Sequence, residues 1–477
     1  MRVTTKNVFL LRQWARHLMR ARLSAALMAG RAAATLSRRL GRGGGTVIAG
    51  HLVPRLAPKA LRDVTDSLPN GSIVVSGTNG KTTTTRLLSH ILRGAGLRPI
   101  HNRAGANLLS GLYSAVAQGT DWQARPRGDI GLFEVDEATV PRALEHIHPR
   151  VLLLHNIFRD QLDRYGEVHF VADRWRDAVR NLSPGTSVVV NADDPLVADL
   201  SPTLTYGIAD PSVGTARMLP HAADARLCPR CGAELDYDLV FYGHIGHYTC
   251  TACEFARPVL DVAATTVELL GDSGTNLVVE SPLGVVRACL RLPGLYNVYN
   301  AIAAIAVCSA LGIARQSVAR GLGTFTAAFG RLERVRVAEG RELFLALVKN
   351  PVGFTEVLRT ILSSPGKRTL LLAINDRFAD GTDVSWLWDV EFERLADRVN
   401  VAVCAGLRAE DMAVRLKYAG VDPERLRVEN DLQRALDMVI AQAAPNETIY
   451  ALPTYTAMLA LREQLQRSGY VHGFWED

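Results

Sequence analysis

The sequence is poor in the features that define several protein classes. Only 6% of its 477 residues are aromatic, and its seven cysteines are an odd number, which does not suit a framework of disulfides. No long apolar run is uninterrupted, because basic residues break the opening segment and Pro and Gly break the uncharged stretch 292–314. We therefore expect neither a secreted disulfide scaffold nor a membrane-spanning chain. The remaining composition is that of a globular protein of about two to four domains.

Acidic residues are absent from the first 62 positions, which carry 13 Lys or Arg. Removing those 13 from the 54 basic residues of the chain leaves 41 against 48 acids, a net charge of −7 for the rest. The body is therefore a poor nucleic-acid surface, and we expect no nucleic-acid partner. Residues 1–45 predict a basic helical segment, either solvated or lying on an anionic membrane surface. We expect a cytoplasmic protein, with contact at the inner face of the membrane left open.

The order of the apolar segments predicts an α/β fold. Between Ser72 and Val190 short buried strands alternate with helices, the pattern of a parallel sheet covered by helices. Residues 259–291 predict antiparallel strands, and a helix from Ala301 to Leu311 is predicted to follow them. A second, smaller alternating set begins near Leu343. The expected organisation is a central domain over residues 46–335, a cysteine-rich insertion over 222–258 and a C-terminal α/β domain over 336–477.

A glycine-rich turn joins the predicted strand Ser72–Ser76 to the predicted helix Lys81–Arg93. Its glycines let backbone N–H groups approach phosphate oxygens, its lysine can reach the terminal phosphates, and the following threonine can bind Mg²⁺. The full eight-residue P-loop pattern places Gly where this chain has Val75, so the turn is a shortened variant. The residues predicted to bind ATP here are Gly77, Thr78, Asn79, Gly80, Lys81, Thr82 and Thr83.

Polar residues follow later strands of the same set. Glu134, Asp136 and Glu137 come at the end of one strand, where carboxylates face the ligand crevice of an open sheet and can bind Mg²⁺. We predict metal or phosphate chemistry for Glu134, whereas Asp136 and Glu137 suit helix capping equally well. The polar loop 156–164 follows the next strand, and the loop 191–195 has residues that favour a simple turn.

The cysteines Cys228 and Cys231, and then Cys250 and Cys253, form two C-x-x-C pairs separated by 18 residues. Four thiolates at this spacing predict a closed tetrahedral site for a structural Zn²⁺, and iron in the same site is not excluded. Unligated thiols and a nucleic-acid-reading ribbon are the alternatives. The second has no basic face, because Asp236, Asp238 and Glu254 lie nearby.

These motifs together resemble the Mur ligase family over about residues 60–335. The shared features are the P-loop, the acidic strand end, the polar loop with its Asn-x-x-x-Asp-x-Leu-Asp pattern, an Asn-Ala-Asp-Asp-Pro turn, Asn-x-x-Asn and Gly-Arg-x-Glu. The resemblance implies that Asn297 and Asn300 lie beside adenine and that Arg331 lies near the phosphates. It also implies that Gln161 belongs to the ATP and Mg²⁺ site, where ligases that add amino acids usually have His.

Several departures point to one branch of that family. No lysine lies between Lys81 and Lys349, so the carbamylated lysine of amino-acid-adding ligases is missing, and Lys349-Asn-Pro-Val-Gly353 stands nearest to their C-terminal motif. These departures, the cysteine pairs, the stretch 102–107 and the stretch 373–389 resemble the MurT family, the ligase subunits of lipid II isoglutaminyl synthases. That resemblance covers about residues 22–470.

The MurT resemblance implies an ATP-dependent amidation. Such subunits phosphorylate the α-carboxyl of D-glutamate in the lipid II stem peptide, and ammonia then displaces phosphate to give D-isoglutamine. The ammonia comes from a separate GatD-type glutaminase, whose Cys and His need an acid from the ligase chain; by motif match that acid is Asp383. From its sequence context alone, Asp383 is better interpreted as an acid that caps a turn, and it is the family match that favours the catalytic role.

Three other functions remain open from the residues. A folylpolyglutamate-type ligase that adds an amino acid is the main alternative, but the missing lysine and the segment 380–388 argue against it. A zinc-ribbon NTPase that binds nucleic acid conflicts with the net charge of the body. A self-contained amidase would need a nucleophile such as Cys404, which we expect to be a packed core residue instead.

Overall fold

The computed structural model describes residues 21–37, 46–102, 106–159, 168–214, 219, 223–326 and 331–471. The helices are α1 (21–37), α2 (Thr46–Leu56), α3 (Ala60–Thr65), α4 (Lys81–Gly94), α5 (Leu109–Gln118), α6 (Val140–Leu144), α7 (Val168–Arg180), α8 (Pro195–Ala198), α9 (Leu295–Leu311), α10 (Arg315–Thr324), α11 (Pro351–Leu362), α12 (Ala409–Tyr418), α13 (Leu432–Gln442) and α14 (Tyr455–Arg467). Short 3₁₀ helices lie at Glu137–Thr139, Pro211–Val213, Ala338–Gly340, Ser385–Asp389, Phe392–Leu395 and Pro423–Arg425.

The strands are β1 (Ser72–Ser76), β2 (Pro99–His101), β3 (Ile130–Glu134), β4 (Val151–Leu154), β5 (Ser187–Asn191), β6 (Leu204–Ile208), β7 (Leu235–Tyr242), β8 (Ile245–Cys250), β9 (Val262–Leu269), β10 (Thr275–Glu280), β11 (Val286–Leu290), β12 (Arg331–Arg336), β13 (Glu342–Ala346), β14 (Arg368–Ala373), β15 (Val399–Ala405), β16 (Leu426–Val428) and β17 (Thr448–Pro453). The predicted strands and helices of both alternating sets are present, with bounds shifted by a few residues.

Within the described residues, nine strands form the larger sheet, in the order β11-β10-β9-β6-β5-β4-β1-β3-β2. The strands from β2 to β6 pair in parallel, β6 pairs in parallel with β9, and β9 to β11 are antiparallel, as predicted for residues 259–291. Strand β1 therefore lies between β3 and β4. Because parallel strands end at the same edge, the polar residues that follow β1, β3 and β4 meet there.

The central strands are apolar on both faces because helices cover both. Ile73 and Val75 of β1 pack in one core cluster with α4 and α9, whereas Val74 packs in the opposite cluster with Phe133 and Leu152. This alternation is the two-residue period of a strand. Helix α9 is buried along almost its whole length, and from Ala301 to Cys308 all of its residues are apolar, as expected of a helix inside a core. It begins at Leu295, six residues before the predicted start at Ala301. Gly294, which has a φ of 90°, directly precedes it.

The C-terminal part forms a six-stranded sheet in the order β12-β13-β17-β14-β15-β16. Strand β12 is antiparallel to β13, and the other pairs are parallel. Cys404 lies in β15 and is fully buried, and its burial raises the pKa of the thiol to about 12. The expectation of a packed core cysteine is confirmed, and such a thiol is a poor nucleophile.

The cysteine pairs are carried by a separate antiparallel hairpin, β7–β8. Near the N-terminus, α1 packs against α2, where Gly30 lies against Val53 and Arg22 Nε donates to the carbonyl of Leu56 at 2.7 Å.

Among the described helices, none has both the length and the apolar character that crossing a membrane requires. The predicted α/β fold, with a P-loop sheet followed by a smaller α/β domain, is confirmed; the smaller sheet is parallel except for β12.

Candidate functional site

The P-loop turn follows β1 and leads into α4. Gly77 has a φ of 143° and Gly80 a φ of 89°, a backbone region that favours glycine. A Cβ at Gly77 would lie 2.6 Å from the Cβ of His155, and a Cβ at Gly80 would collide with the amide oxygen of Asn300. Glycine is therefore required at both positions by conformation and by close packing against the neighbouring elements.

Lys81 is buried at the start of α4 and is held by three acceptors. Its Nζ lies 2.8 Å from Glu137 Oε2, donates to the carbonyl of Thr78 at 3.3 Å and also donates to the carbonyl of Gly77. Burial by itself lowers the pKa of Lys81, but the charge and hydrogen bond of Glu137 outweigh it and the pKa is raised. Conversely, burial opposes ionisation of Glu137, but the charges of Lys81 and then Lys349 lower its pKa. Both partners are ionised.

Thr82 and Glu134 meet beside this pair. Thr82 Oγ1 donates to Glu134 Oε1 at 2.9 Å, and both residues are buried. The backbone of Glu134 is clamped by Asn102, whose Oδ1 accepts from its N–H at 2.9 Å and whose Nδ2 donates to its carbonyl at 2.8 Å. A hydroxyl and a carboxylate oxygen next to a phosphate-binding loop are the donor types that Mg²⁺ prefers. The residues present therefore fit a magnesium ion bound together with a nucleotide.

The loop after β4 supports the P-loop from the other side. Asn156 accepts two hydrogen bonds from the turn. Its side-chain Oδ1 accepts from the N–H of Asn79 at 2.9 Å, and its backbone carbonyl accepts from the N–H of Thr78 at 2.9 Å. The hydroxyl of Thr78 accepts from the N–H of Phe158 at 3.0 Å. Thr83 follows Thr82 in α4 and is half-buried. The first half of the predicted polar loop thus holds the phosphate-binding turn in place.

A buried chain of hydrogen bonds connects α9 to the P-loop. Asn300 Nδ2 donates to Asn297 Oδ1 at 2.9 Å, and Asn300 Oδ1 accepts from the hydroxyl of Thr84 at 3.2 Å. His155 Nε2 lies 2.8 Å from that hydroxyl, and His155 Nδ1 lies 2.9 Å from the hydroxyl of Tyr206. The two asparagines are therefore brought to the P-loop, whereas their expected place beside adenine stays a prediction.

His155 is neutral within this chain. Its burial, together with the charge of Lys81, lowers its pKa to about 3, and burial raises the pKa of Tyr206 well above its ordinary value. A protonated phenol donates to Nδ1, so Nε2 carries the hydrogen and donates to Thr84. The hydroxyl of Thr84 is then left to donate to Asn300. Sequence reasoning missed His155, although its position directly after a buried strand was an available signal.

The other acidic residues near this edge are structural. Asp136 caps the 3₁₀ helix Glu137–Thr139 by accepting from the N–H of Ala138 at 3.2 Å. Asp193 accepts from Tyr299 at 2.7 Å and from Arg257 at 2.5 Å. Asp194, which the sequence also assigned to a turn, accepts from the N–H of Ile157 at 3.0 Å and thereby holds the loop after β4.

The predicted nucleotide contacts of two residues, Gln161 and Arg331, are not tested by the structure. Gln161 lies outside the described residues. Arg331 begins β12, and its backbone pairs with Ala346. Their expected contacts with the nucleotide remain predictions.

The C-terminal part also reaches the P-loop, which sequence reasoning did not foresee. Lys349 Nζ donates to the carbonyl of Thr78 at 3.1 Å, and Asn350 Nδ2 donates to Asn79 Oδ1 at 3.0 Å. Both residues precede α11, and Asn350 caps that helix. The motif containing them was noted in the sequence, but the 271 residues that separate the partners hide the contact.

The four cysteines are brought together. Their Sγ atoms all lie within 4.8 Å of one another, with 3.7 Å between Cys228 and Cys253 and 3.4 Å between Cys231 and Cys250. Tetrahedral Zn–S bonds of about 2.3 Å would set the sulfurs about 3.8 Å apart, so the cluster fits such an ion. The N–H of Ala252, followed by the Cys231 thiol, lowers the pKa of Cys250 to about 6, whereas the pKa of Cys228 and that of Cys253 are raised.

Asp383 lies on an exposed loop after β14, at the carboxyl edge of the smaller sheet. Its two carboxylate oxygens accept from the N–H of Ser385 at 2.8 Å and from the hydroxyl of Ser385 at 2.9 Å, and these bonds lower its pKa. The loop is anchored by the buried Asp380, which accepts from the N–H of Thr456 at 2.7 Å. Asp383 is therefore an ionised and solvent-facing carboxylate on a fixed loop.

Comparisons with known proteins agree with this arrangement. The family described as MurT ligase C-terminal matches residues 347–458, and the Mur ligase middle domain matches residues 75–228. The chain is 33% identical over 446 residues to the lipid II isoglutaminyl synthase subunit MurT of Streptococcus pneumoniae, covering 92% of this chain and 96% of that protein. It is 32% identical to the MurT subunit of Staphylococcus aureus, covering 89% and 93%.

A solved structure shows the same fold at lower identity. The pseudomurein peptide ligase type C from Methanothermus fervidus superposes with a TM-score of 0.63 at 24% identity, covering 83% of this chain and 78% of that one. This likeness supports the Mur ligase fold alone. The two MurT relatives each match nearly their whole length, and the C-terminal family match contains both Lys349 and Asp383. The chain therefore belongs to the MurT family of Mur ligase-like subunits.

Proposed function

We propose that this chain is the ligase subunit of a lipid II isoglutaminyl synthase and uses ATP to amidate the D-glutamate α-carboxyl of the lipid II stem peptide. The observation that carries the proposal is the full-length match to two MurT subunits together with an intact P-loop site of Lys81, Thr82 and Glu134. We further propose that residues 46–335 bind ATP and Mg²⁺, and that residues 336–477 contact a glutaminase partner.

The geometry suits activation of a carboxylate. A carboxylate is a poor electrophile, and transfer of a phosphoryl group from ATP gives it a leaving group that ammonia can displace. Mg²⁺, when bound, neutralises charge on the phosphate oxygens. Thr82 and Glu134 supply oxygen ligands for it, and the Lys81 ammonium supplies a fixed positive charge. Because these groups are buried, their charges act in a site from which bulk water is largely excluded.

The ammonia source is proposed to be a GatD-type glutaminase that docks on the C-terminal part. Asp383 would accept a hydrogen bond from the partner's histidine and hold that ring in the tautomer that a general base requires. Phe378 is 74% exposed. Trp388 is 53% exposed, and its ring centroid lies 5.7 Å from that of Tyr418, which is 74% exposed. Exposed aromatic residues are enriched in protein interfaces, which supports a partner at this surface.

Two finer assignments complete the proposal. The four-cysteine cluster is proposed to hold a structural Zn²⁺, because all four ligand positions would be protein thiolates and no site would remain open for catalysis. The chain is proposed to work at the cytoplasmic face of the membrane, where α1 and its basic neighbourhood contact anionic lipid. The 13 basic residues and no acids of residues 1–62 support that contact.

The decisive experiment is mass spectrometry of lipid II after incubation with the chain, ATP and Mg²⁺. One reaction contains ammonium, and a second contains glutamine with a co-expressed GatD-type glutaminase. We expect the mass change for replacement of a carboxyl hydroxyl by an amino group in both, with glutamine consumed only when the partner is present. Unchanged lipid II in both reactions, or the gain of an amino-acid residue, would reject amidation; the second result would favour a conventional amino-acid-adding ligase.

The zinc assignment has its own test. Metal analysis of the purified chain should give one zinc per molecule, and Cys250→Ser should lose it and lower the thermal midpoint. Cys289→Ser, at an exposed cysteine outside the cluster, is the matched control and should keep both. Iron in the metal analysis, or full occupancy in the Cys250→Ser variant, would contradict a four-thiolate zinc site.

A further inference from the structure

The contact between the C-terminal part and the P-loop is a built feature. Asn350 is fixed twice: its Oδ1 caps α11 by accepting from the N–H of Gly353 at 2.8 Å, and its Nδ2 donates to Asn79 Oδ1 at 3.0 Å. Both Asn350 and Asn79 lie where the chain changes direction. Since Lys349 directly precedes this doubly held residue, its backbone position relative to the P-loop is fixed as well.

The side chain of Lys349 reaches the phosphate-binding turn. Its Nζ donates to the carbonyl of Thr78 at 3.1 Å, and the Nζ of Lys81 donates to the same carbonyl at 3.3 Å. The charge of Lys349 also contributes to keeping the buried carboxylate of Glu137 ionised. Two ammonium groups from distant parts of the chain therefore converge on one turn.

A backbone carbonyl is a weaker partner for an ammonium than a phosphoryl oxygen, because the latter carries charge. The N–H groups of a P-loop point toward the phosphates, so a cation at its edge lies close to where they bind. Lysine is a compact charge on a flexible four-carbon stem, and a small rotation can transfer it from the Thr78 carbonyl to a phosphoryl oxygen.

We propose that Lys349 is a catalytic residue of the phosphoryl-transfer step, delivered to the P-loop by the C-terminal domain to contact the transferred phosphoryl group. The inference rests on the proposed amidation. In that step a carboxylate oxygen forms a bond to the terminal phosphorus, the bond from this phosphorus to the bridging oxygen breaks, and its electron pair leaves with ADP. Lys349 stabilises the negative charge on the transferred phosphoryl group.

Under this proposal, phosphoryl transfer depends on the docking of the C-terminal domain. Lys81 belongs to the P-loop itself, whereas Lys349 is present only while the C-terminal domain is docked as described. Phosphoryl transfer is then coupled to docking, and the activated carboxylate forms only when both domains enclose the site. Asn350 is a positioning residue in this scheme, since it acts by holding Lys349 against the turn.

The test compares Lys349→Gln, Lys349→Arg and Lys367→Gln in ammonium-dependent amidation of lipid II, which does not need the glutaminase. Lys367 is an exposed lysine of the same domain and serves as the control. We expect Lys349→Gln to lower kcat about 100-fold, the typical cost of removing one preorganised charge-stabilising group. KM for ATP should change by less than about threefold, because an interaction made in the transition state affects kcat. Lys349→Arg should recover part of the loss, and Lys367→Gln should match the parent.

A second readout does not depend on turnover. Lysine acylation of the unmodified chain, mapped by mass spectrometry, should show protection of Lys349 by Mg²⁺ with a non-hydrolysable ATP analogue, while the reactivity of Lys367 stays unchanged. The thermal midpoint of each variant shows whether it is folded. If Lys349→Gln keeps kcat within about twofold, or raises only KM for ATP, the catalytic assignment is wrong. Absence of protection would also overturn it.

The two proposals fail in different ways. If the unmodified chain does not amidate lipid II, the proposed function fails, and the protection experiment still decides whether Lys349 meets the nucleotide phosphates. If the unmodified chain is active and Lys349→Gln is equally active, only the role of Lys349 fails.

Discussion

The carboxyl edges of the two sheets carry polar sites of opposite character. At the edge of the larger sheet, the side chains of Lys81 and Glu137 are each 8% exposed and lie 2.8 Å apart. At the edge of the smaller sheet, Asp383 is exposed and its described hydrogen bonds are to Ser385 of its own loop. The first site is assembled from several elements of this chain. The second presents one oriented carboxylate to the solvent.

The difference follows from the medium around each charge. Two unit charges 4 Å apart interact by about 1 kcal/mol in water and by about 4 kcal/mol at an effective dielectric constant of 20. Charges at the buried edge can therefore act on a phosphate without help from another protein. A carboxylate such as Asp383 gains comparable influence only when a partner surface covers it and removes water. The comparison thus predicts an autonomous ligase site and an incomplete glutaminase site.

The largest expected effect comes from breaking the buried pair. Lys81→Met should abolish amidation with both ammonium and glutamine, by at least about 1,000-fold, because it removes the buried cation that we propose to contact the phosphates of ATP. It should also destabilise the fold by about 3–5 kcal/mol, since Glu137 would remain buried without its main partner. Rates by mass spectrometry and unfolding in urea measure the two effects.

The double variant Lys81→Met/Glu137→Gln separates the two roles. We expect most of the lost stability to return, because no uncompensated carboxylate remains, while the activity stays absent. Recovery of activity in the double variant would show that Lys81 serves only to balance Glu137, and the contrast between the two edges would lose its catalytic meaning.

A narrower effect, confined to the glutamine route, is expected at the exposed site. Asp383→Asn should lower glutamine-dependent amidation by at least about 1,000-fold, because an amide cannot orient and stabilise a protonated histidine as a carboxylate does. Ammonium-dependent amidation should stay within about twofold, and the free energy of unfolding should change by less than about 0.5 kcal/mol. Parallel assays with ammonium and with glutamine plus the glutaminase measure this.

Asp397→Asn, at another exposed acid of the same domain, is the control and should leave both routes unchanged. Equal loss of the two routes in Asp383→Asn would place Asp383 in the ligase reaction. Retention of the glutamine route would reject its role in the partner's triad.

A further prediction concerns the pH dependence of stability rather than a reaction rate. His155 has a folded pKa of about 3, well below the ordinary value of 6.5, so the folded state favours the neutral ring. The unfolded state takes up the proton first, and stability is lost as pH falls from 6.5 toward 3, by up to about 1.4 kcal/mol per pH unit from this one group. Asp383 has a lowered pKa, so its contribution is present above 3.8 and is lost below it, and it is small because the group is exposed.

The measurement is the unfolding free energy of the parent, His155→Gln and Asp383→Asn between pH 7 and pH 4. His155→Gln should be less stable at pH 7 and should lose less stability on acidification, whereas Asp383→Asn should follow the parent over this range. Parallel curves for the parent and His155→Gln would show that His155 is not held neutral, and the buried edge would then be less dry than described.

Much of the fold and the P-loop could be predicted from the sequence because both depend on local patterns. Apolar strands, the Gly-Lys-Thr turn and the paired cysteines are readable from residue type and spacing. The start of α9 was missed because its first turn is rich in Asn and Tyr, which are polar or aromatic yet buried here. For Asp136 and Glu137 the sequence left helix capping and metal or phosphate chemistry equally open. In the structure Asp136 caps a 3₁₀ helix, and Glu137 pairs with Lys81.

The sequence by itself determined the α/β architecture, the P-loop turn, the four-cysteine cluster and the family, since each is encoded by neighbouring residues or by motifs with fixed spacing. Tertiary structure decided which distant groups meet: His155 with Thr84 and Tyr206, Glu137 with Lys81, and Lys349 with the carbonyl of Thr78. These contacts arise because parallel strands end at one edge and because a second domain packs against that edge. No local pattern records such contacts, so the sequence could not show which residues act together.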